Sequence, residues 1–251
     1  MKKPYLSVVI PMYNEEKNLK KGVLSEVEDF LKRQNYSSEV IISDDESTDN
    51  SLVLAEEFVK SHSGFKLLKN KHGGKPFAIR SGVMAAEGEI CLFVDMDQST
   101  PIGQVEKLLS FYEKGFSVVI GSRGAKREGF AWYRQLTSAG FRFLRRALIL
   151  PEIIDTQCGF KSFKTEDGKK ILGKLKIFEE MKNARGWKVG AWDVELLFVA
   201  KKLGFKVKEV IISWKDRDVS IGKNRNFAKE SKEMLLEILR VRLNDIRGVY
   251  A

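Results

Sequence analysis

The stretch EICLFVDMD, residues 89–97, decides the fold, because an apolar run of strand length ends directly on two carboxylates. Residues 90–94 carry no charged side chain and fit a buried β-strand. The same transition from apolar to polar side chains follows LSVVI (6–10), EVIIS (39–43) and FSVVI (116–120). This repeated pattern predicts several strands that end at a common polar edge.

Helical patterns separate these strands. They lie at 15–33, 50–62, 76–86 and 101–113, and a further strand, FKLLK, lies at 65–69. Strands and helices in alternation predict an α/β fold with a mostly parallel central sheet and helices on both faces. Ligands of such sheets bind beyond the carboxyl ends of the strands. The residues that directly follow each strand are therefore the candidates for function.

Those residues are rich in carboxylates. They are Pro11, Tyr13, Asn14 and Glu15 after the first strand, Asp44, Asp45, Glu46 and Ser47 after the second, Asp95, Met96 and Asp97 after the fourth, and Arg123 after the fifth. Asp95 and Asp97 can approach one divalent cation from a single loop. Since the chain has only two histidines and two cysteines, we expect Mg²⁺ or Mn²⁺ rather than zinc, held by carboxylates and substrate phosphates.

The regular alternation ends near residue 125. Beyond it the sequence predicts a strand at 160–164, a helix around 191–204, a strand at 206–214 and a long C-terminal helix at 226–246. We find no internal repeat or linker, and we expect a single domain over residues 1–251.

The two halves of the chain differ in charge. Residues 1–125 hold 16 basic and 18 acidic side chains, whereas the remainder holds 28 basic and 16 acidic ones. This asymmetry indicates two surfaces with different partners. A basic nucleic-acid-binding module is an alternative and predicts salt-sensitive binding, but it leaves the carboxylate edge unexplained. We therefore expect no nucleic-acid partner.

The sequence also indicates where the protein works. The longest stretch without a charged residue, Pro4 to Asn14, has 11 residues, against about 20 for a membrane-spanning helix. We expect no spanning helix and no signal peptide, because this stretch carries Pro11 and runs into acidic residues without a cleavage site. Two cysteines outside any metal-ligand spacing favour a reduced cytosolic setting.

Six motifs together resemble one family. They are VVIPMYNEE (8–16), ISDDESTDN (42–50), DMD (95–97), DTQCGFK (155–161), WDVELL (192–197) and RDVSIGK (217–223). The combination resembles the family 2 glycosyltransferases of GT-A fold, and within them the dolichyl-phosphate (polyprenyl-phosphate) glucose and mannose synthases, with the glucose branch nearer. The resemblance implies inverting transfer of a hexose from UDP-glucose or GDP-mannose to a polyprenyl or dolichyl phosphate. It also implies a nucleotide-sugar-binding half, 1–124, and an acceptor half, 125–251.

The resemblance implies roles for individual residues. Donor-binding residues would be Pro11, Tyr13, Glu15, Ser43, Asp45, Asp95, Met96, Asp97, Arg217 and Lys223. Acceptor-binding residues would be Arg123, Arg134 and Ser138. Catalytic residues would be Asp97, Arg123 and Asp155, and metal ligands Asp95 and Asp97, with Asp97 preferred. Asp155, Asp193 and Glu195 are alternatives for an orienting group or a base.

Three departures from the family pattern stand out. Glu46 occupies a position that usually holds glycine or another small residue. Ser99, with Gln98 beside it, stands where the mannose synthases have a glutamine near the metal. In the basic loop, Ser220 and Gly222 exchange the usual serine and glycine positions.

Residues 130–150 combine aromatic and aliphatic side chains with four arginines. Such a segment is typical of a solvated face of the fold or of an interfacial helix on anionic lipid. Since a lipid-phosphate acceptor must be reached without a spanning helix, we expect this segment to bind a membrane, with the protein peripheral at its cytosolic face. A soluble saccharide or protein acceptor is the alternative.

Overall fold

The computed structural model describes residues 3–124, 149–180, 192–219 and 227–250. Seven strands form one sheet in the order β3-β2-β1-β4-β6-β5-β7. They are β1 (Leu6–Met12), β2 (Ser38–Asp44), β3 (Phe65–Lys69), β4 (Ile90–Phe93), β5 (Val118–Ser122), β6 (Lys161–Lys164) and β7 (Val207–Ile211). All strand pairs are parallel except those of β6, which runs antiparallel between β4 and β5. The predicted mostly parallel sheet is confirmed.

Helices cover both faces of this sheet. They are α1 (Glu16–Lys20), α2 (Val23–Lys32), α3 (Ser51–Ser61), α4 (Lys75–Ala85), α5 (Glu106–Leu109), α6 (Thr165–Lys174), α7 (Ile177–Glu180), α8 (Trp192–Lys202) and α9 (Phe227–Ile246), with a 3₁₀ turn at Ile102–Val105. No helix in these ranges is long and apolar enough to cross a membrane.

The hydrophobic core has one layer on each side of the sheet, because successive side chains of a strand point to opposite faces. Val8 and Ile10 pack into the layer that contains α2, α3 and α5. Val9 packs into the layer that contains α4, α6, α8 and α9. The strands are therefore buried on both faces, as their apolar runs predict.

Two predicted helices are shorter in the structure. The helix expected at 15–33 is interrupted at Gly22, whose φ of 80° is left-handed and favours glycine. The helix expected at 101–113 is replaced by the 3₁₀ turn and the four-residue α5. Helices α6 and α7 were not expected from the sequence.

Candidate active site

Three residues with left-handed backbone angles lie at the carboxyl edge of the sheet. Among the described residues, positive φ angles outside glycine occur at Asn14 (54°), Glu46 (62°) and Gln98 (51°). These residues follow β1, β2 and β4, respectively. Left-handed non-glycine residues are costly and cluster at functional sites, so the strain independently marks the edge that the sequence pattern selects.

Asp45 organises the first part of this edge. Its side chain is fully buried, and its carboxylate oxygens accept hydrogen bonds from the backbone N–H groups of Gly73 and Gly74, both at 2.9 Å. His72 Nδ1 lies 2.9 Å from Asp45 Oδ2, and the His72 ring packs against Tyr13. Burial raises the pKa of Asp45, although the two N–H groups oppose this. The result is a fixed carboxylate beside an aromatic face, which suits a nucleoside base.

Hydrogen bonds stabilise the turn at Glu46, where the family pattern has a small residue. Its backbone N–H donates to Asp44 Oδ2 at 3.1 Å, and Ser47 Oγ donates to Asp44 Oδ1 at 2.6 Å, so Asp44 closes the turn. The Glu46 carboxylate accepts the N–H of His72 at 2.9 Å. The departure from glycine therefore leaves the turn left-handed and adds a contact to the loop that holds Asp45.

Asp95 and Asp97 lie on the loop after β4. Lys75, at the start of α4, forms an ion pair with Asp95 Oδ1. Burial lowers the pKa of Lys75, but the attraction of Asp95, and then of Asp193 and Asp97, outweighs it, so the pKa is raised. Asp97 accepts the N–H of Ser99 at 2.8 Å. Its pKa is raised by burial and then by repulsion from Asp95.

Two carboxylates on one loop are the type of ligand that a hard divalent cation takes. A Cβ atom at position 159 would lie 2.1 Å from Asp95 Oδ2, so Gly159 leaves the space that this carboxylate occupies. The described residues contain no group of three or more His, Cys, Asp or Glu side chains arranged for a metal. A cation here would take Asp95 and Asp97 from the protein and its other ligands from water or phosphate, which is how proteins usually hold Mg²⁺.

A second ion pair near this loop is buried. Lys161, the first residue of β6, is completely buried, and its Nζ donates to Asp193 Oδ1 at 2.6 Å and to the carbonyl oxygen of Cys158 at 2.5 Å. Burial raises the pKa of Asp193, and Lys161 opposes this rise. Because Asp193 also attracts Lys75, alternating charges connect β6, α8, α4 and the loop after β4.

Arg123 and Asp155 form an ion pair at the carboxyl edge, after β5. Arg123 Nε and a terminal guanidinium nitrogen donate to the two Asp155 oxygens at 2.7 and 2.9 Å, and the Arg123 backbone N–H adds a third bond at 3.1 Å. Burial lowers the pKa of Arg123, but Asp155, and more weakly Asp95, outweigh it, so the pKa is raised. Asp155 is therefore placed to orient Arg123.

Arg217 lies on the loop after β7 and points to a different partner. Its guanidinium donates to both Glu26 oxygens on α2, at 2.9 and 2.7 Å. The Arg217 backbone N–H donates to Ser99 Oγ at 3.1 Å, which attaches the loop to the segment after Asp97. Ser99, predicted only as a departure from the family, is thus a bridge between two loops.

Some of the remaining predicted residues lie at the carboxyl edge, and others lie outside the described residues. Ser43 is buried, donates to the Ala78 carbonyl at 2.7 Å and accepts from Asn70 at 3.0 Å, while Pro11 and Met96 are buried side chains of the edge. Glu15 accepts from Asn18 at 2.5 Å. Arg134, Ser138, Lys223 and segment 130–150 lie wholly or almost wholly outside the described residues.

Glu195 is used elsewhere in the fold. Its carboxylate accepts hydrogen bonds from the N–H groups of Lys176 and Ile177, from Arg240 and from the Tyr250 hydroxyl. These bonds fix α7 and α9 on α8. Asp193, two residues earlier, is the member of this pair that faces the charge network of the site.

Sequence reasoning missed both Lys161 and the loop around His72. The available signal for Lys161 was its place inside the predicted strand 160–164, since lysine is almost never fully buried without a partner. The two glycines after His72 gave a weaker signal, a backbone able to approach a carboxylate closely.

A mostly parallel sheet that gathers carboxylates and a largely buried arginine at its carboxyl edge is the architecture of the GT-A nucleotide-sugar transferases. Residues 7–172 match the family Glycosyl transferase family 2. The chain belongs to this family and is a glycosyltransferase.

Relatives at about one-third identity extend over most of the chain. Dolichyl-phosphate beta-glucosyltransferase of Dictyostelium discoideum is 32% identical, over 98% of this chain and 76% of that protein. The Homo sapiens protein of the same name is 34% identical, over 83% and 67% of the two chains.

Solved structures share the fold. Glucosyl-3-phosphoglycerate synthase from Mycobacterium tuberculosis, crystallised with Mn²⁺, UDP and phosphoglyceric acid, superposes with a TM-score of 0.66 at 21% identity, over 95% of this chain and 78% of that one. Mannosyltransferase PcManGT from Pyrobaculum calidifontis, with GDP-Man and Mn²⁺, gives 0.60 at 17% identity, over 96% and 65%.

Proposed function

We propose that the protein transfers glucose from UDP-glucose to a polyprenyl or dolichyl phosphate with inversion at the anomeric carbon. The observation that carries the acceptor assignment is the largely buried Arg123, which Asp155 holds and whose charge interacts with that of Asp95. A guanidinium in this position fits a phosphate acceptor. The names of the relatives support glucose and dolichyl phosphate.

The chemistry of the acceptor explains why arginine matters here. A phosphate monoester has a second pKa of about 6, so its attacking oxygen is already mostly anionic near neutral pH. A dedicated base is therefore less necessary than a group that reduces repulsion between this anion and the donor diphosphate. Arg123 would supply that charge, with Arg134 and Ser138 as further acceptor ligands, and Asp155 would keep the guanidinium oriented.

The donor would lie along the other loops. Tyr13 and Asp45 would contact the base, with Pro11, Glu15, Ser43 and Met96 shaping this part of the edge. Asp97, with Asp95, would hold Mg²⁺ or Mn²⁺, which neutralises charge on a diphosphate leaving group when bound. Arg217 and Lys223 would contact the same diphosphate from the loop after β7.

The test is a transfer assay with purified protein. UDP-glucose and GDP-mannose are supplied separately with farnesyl phosphate and Mg²⁺ or Mn²⁺, and the anomeric configuration of the product is read by NMR. We expect β-linked glucosyl phosphate from UDP-glucose and a loss of at least 100-fold for Asp97→Asn. Equal turnover by this variant would refute the metal assignment. Transfer only to a sugar hydroxyl would favour the soluble acceptor instead.

We further propose that the protein works peripherally at the cytosolic face of a membrane and that segment 130–150 contacts the anionic lipid. Flotation with phosphatidylserine vesicles tests the contact, using a variant with Ser at Phe141, Phe143, Arg145 and Arg146. The matched control places Ser at Leu236, Leu239 and Leu243, which are exposed on α9. Loss of flotation in the first variant supports the contact between segment 130–150 and the lipid. Loss in the control alone assigns the contact to α9 and refutes the proposal.

A further inference from the structure

Large apolar side chains are exposed beside Arg123. Ile154 is 38% exposed, Ile211 74% and Trp214 41%. Single exposed apolar residues are common on proteins, but a group beside a functional site indicates a binding surface.

Glu209 attaches the backbone at Ile154 to the strand that carries Ile211. It lies on β7, the last strand of the sheet, and its carboxylate accepts the N–H of Ile154 at 2.8 Å and the N–H of Asp155 at 2.7 Å. Ile211 is two residues after Glu209 and therefore projects from the same face of the strand. The Ile154 backbone and the Ile211 side chain thus lie on the same side of β7.

Trp214 contacts Arg123 directly, and the other two residues lie next to its neighbours. Ile211 pairs in register with Ser122, the residue before Arg123. Ile154 precedes Asp155, the partner of Arg123. The Trp214 ring centre lies 5.7 Å from the guanidinium carbon of Arg123. A largely buried cation is therefore bordered by exposed apolar side chains.

We propose that Ile154, Ile211 and Trp214 bind the hydrocarbon chain of the acceptor where it leaves the phosphate at Arg123. This inference rests on the proposed function. The arrangement matches an amphipathic ligand whose charged head lies inside and whose apolar chain lies outside. A saccharide acceptor has no apolar chain that could cover these exposed side chains, and a second copy of this chain is the competing occupant.

The inference is tested with acceptors that differ only in chain length. Citronellyl, farnesyl and tetraprenyl phosphate are compared at saturating UDP-glucose. In the wild-type protein we expect the acceptor KM to fall at least threefold with each added isoprene unit. In Ile211→Ser and Trp214→Ser, we expect the KM for tetraprenyl phosphate to rise about tenfold, while the KM for citronellyl phosphate and for UDP-glucose changes less than twofold.

Two control variants separate this surface from indirect effects. Val53→Ser removes a side chain that is 52% exposed on α3 and should leave every KM unchanged. Trp214→Phe keeps a ring beside Arg123 and should retain most of the chain-length dependence. Ile211→Ser removes the most exposed of the three side chains, so its folding should be unaffected.

The outcomes distinguish this inference from the proposed function. Transfer that does not depend on chain length in the wild-type protein, or a KM change that is equal for all acceptors, refutes the lipid surface and leaves the function standing. Conversion of a dimer to a monomer by Ile211→Ser, without a chain-length effect, assigns the surface to a second copy and also refutes it. Absence of transfer to every lipid phosphate refutes the proposed function itself.

Discussion

Two arginines at the carboxyl edge make nearly identical ion pairs in opposite surroundings. Arg123 bonds both oxygens of Asp155 at 2.7 and 2.9 Å, and Arg217 bonds both oxygens of Glu26 at 2.9 and 2.7 Å. Side-chain exposure is 17% and 4% in the first pair, but 35% and 45% in the second. Since geometry is matched, burial alone should set how much each pair contributes.

The difference separates a preformed region from an adjustable one. The buried region comprises the Arg123–Asp155 and Lys161–Asp193 pairs. Its charges have little access to water and should keep their orientation during turnover. An exposed pair contributes little to stability and is screened by salt. Arg217 can therefore leave Glu26 for a substrate phosphate at small cost, which suits a loop that closes over the donor.

The largest effect is expected in the buried region for Lys161→Met. Asp193 then loses its cation in a buried setting, and breaking such a pair costs about 3–5 kcal/mol. Burial already raises the pKa of Asp193 from its ordinary value of 3.8, so the folded state binds this proton more tightly than the unfolded state. Stability therefore falls as pH rises from 3.8 through the folded-state pKa, and the variant extends this window upward.

Urea unfolding of wild type and Lys161→Met between pH 3.5 and 8 measures this effect. We expect the difference in the free energy of unfolding to be smallest in acid and to grow toward neutral pH. The double variant Lys161→Met with Asp193→Leu should recover most of the loss, because no charge remains buried. A difference that does not change with pH would contradict the role of the buried carboxylate.

The next largest effect is expected for Asp155→Asn. In this variant the largely buried Arg123 guanidinium faces one amide oxygen in place of a carboxylate. We expect the free energy of unfolding to fall by about 3 kcal/mol, at the low end for a broken buried pair. Thermal and urea unfolding measure it. The double variant Arg123→Met with Asp155→Leu should be more stable than Asp155→Asn alone; if it is less stable, the pair contributes net stability that burial alone does not explain.

Matched Arg→Lys variants compare the two regions in catalysis. Lysine keeps the charge but loses the planar fork. For Arg123→Lys we expect a fall of about 100-fold in kcat/KM for the lipid phosphate, comparable to losing one preorganised donor. Arg217→Lys should lose less than tenfold, in the KM for UDP-glucose. Equal losses in the two variants would remove the distinction between a preformed and an adjustable region.

The sequence predicts the carboxyl edge well because each of its signals is local. A strand followed by polar residues places Tyr13, Asp45, Asp97 and Arg123 together once the strands are parallel, and no long-range contact has to be known. The turn at Glu46 is also local, since the family pattern expects a small residue where the structure has a φ of 62°.

Non-local features were not predictable in the same way. The antiparallel strand β6 lies between β4 and β5, and its place depends on pairing between segments that are distant in sequence. This pairing buries Lys161 against Asp193. The Arg217–Glu26 pair joins residues far apart in sequence on an exposed surface, where many pairings are nearly equal in energy. The WDVELL motif contains both Asp193 and Glu195, but only packing shows that the second one anchors α7 and α9.

The smallest effect is expected for Glu26→Gln, which releases Arg217. The Arg217 hydrogen bonds lower the pKa of Glu26, and burial only partly opposes them. Stability from this pair is therefore present above the ordinary value of 4.5 and is lost as pH falls through the lowered pKa. Because the pair is exposed, we expect less than about 1 kcal/mol at neutral pH, and less in high salt.

Steady-state kinetics test Glu26→Gln more sharply than stability measurements do. Since Glu26 competes with the donor diphosphate for Arg217, Glu26→Gln should lower the KM for UDP-glucose about twofold to threefold, with kcat unchanged. Glu28→Gln is the matched control, because Glu28 pairs with Lys32 on the same helix and forms no hydrogen bond or ion pair with residues 212–219, the described part of the loop after β7. A KM that rises in Glu26→Gln would mean that Glu26 holds Arg217 in its working position, and the loop after β7 would then be preformed like the region around Arg123.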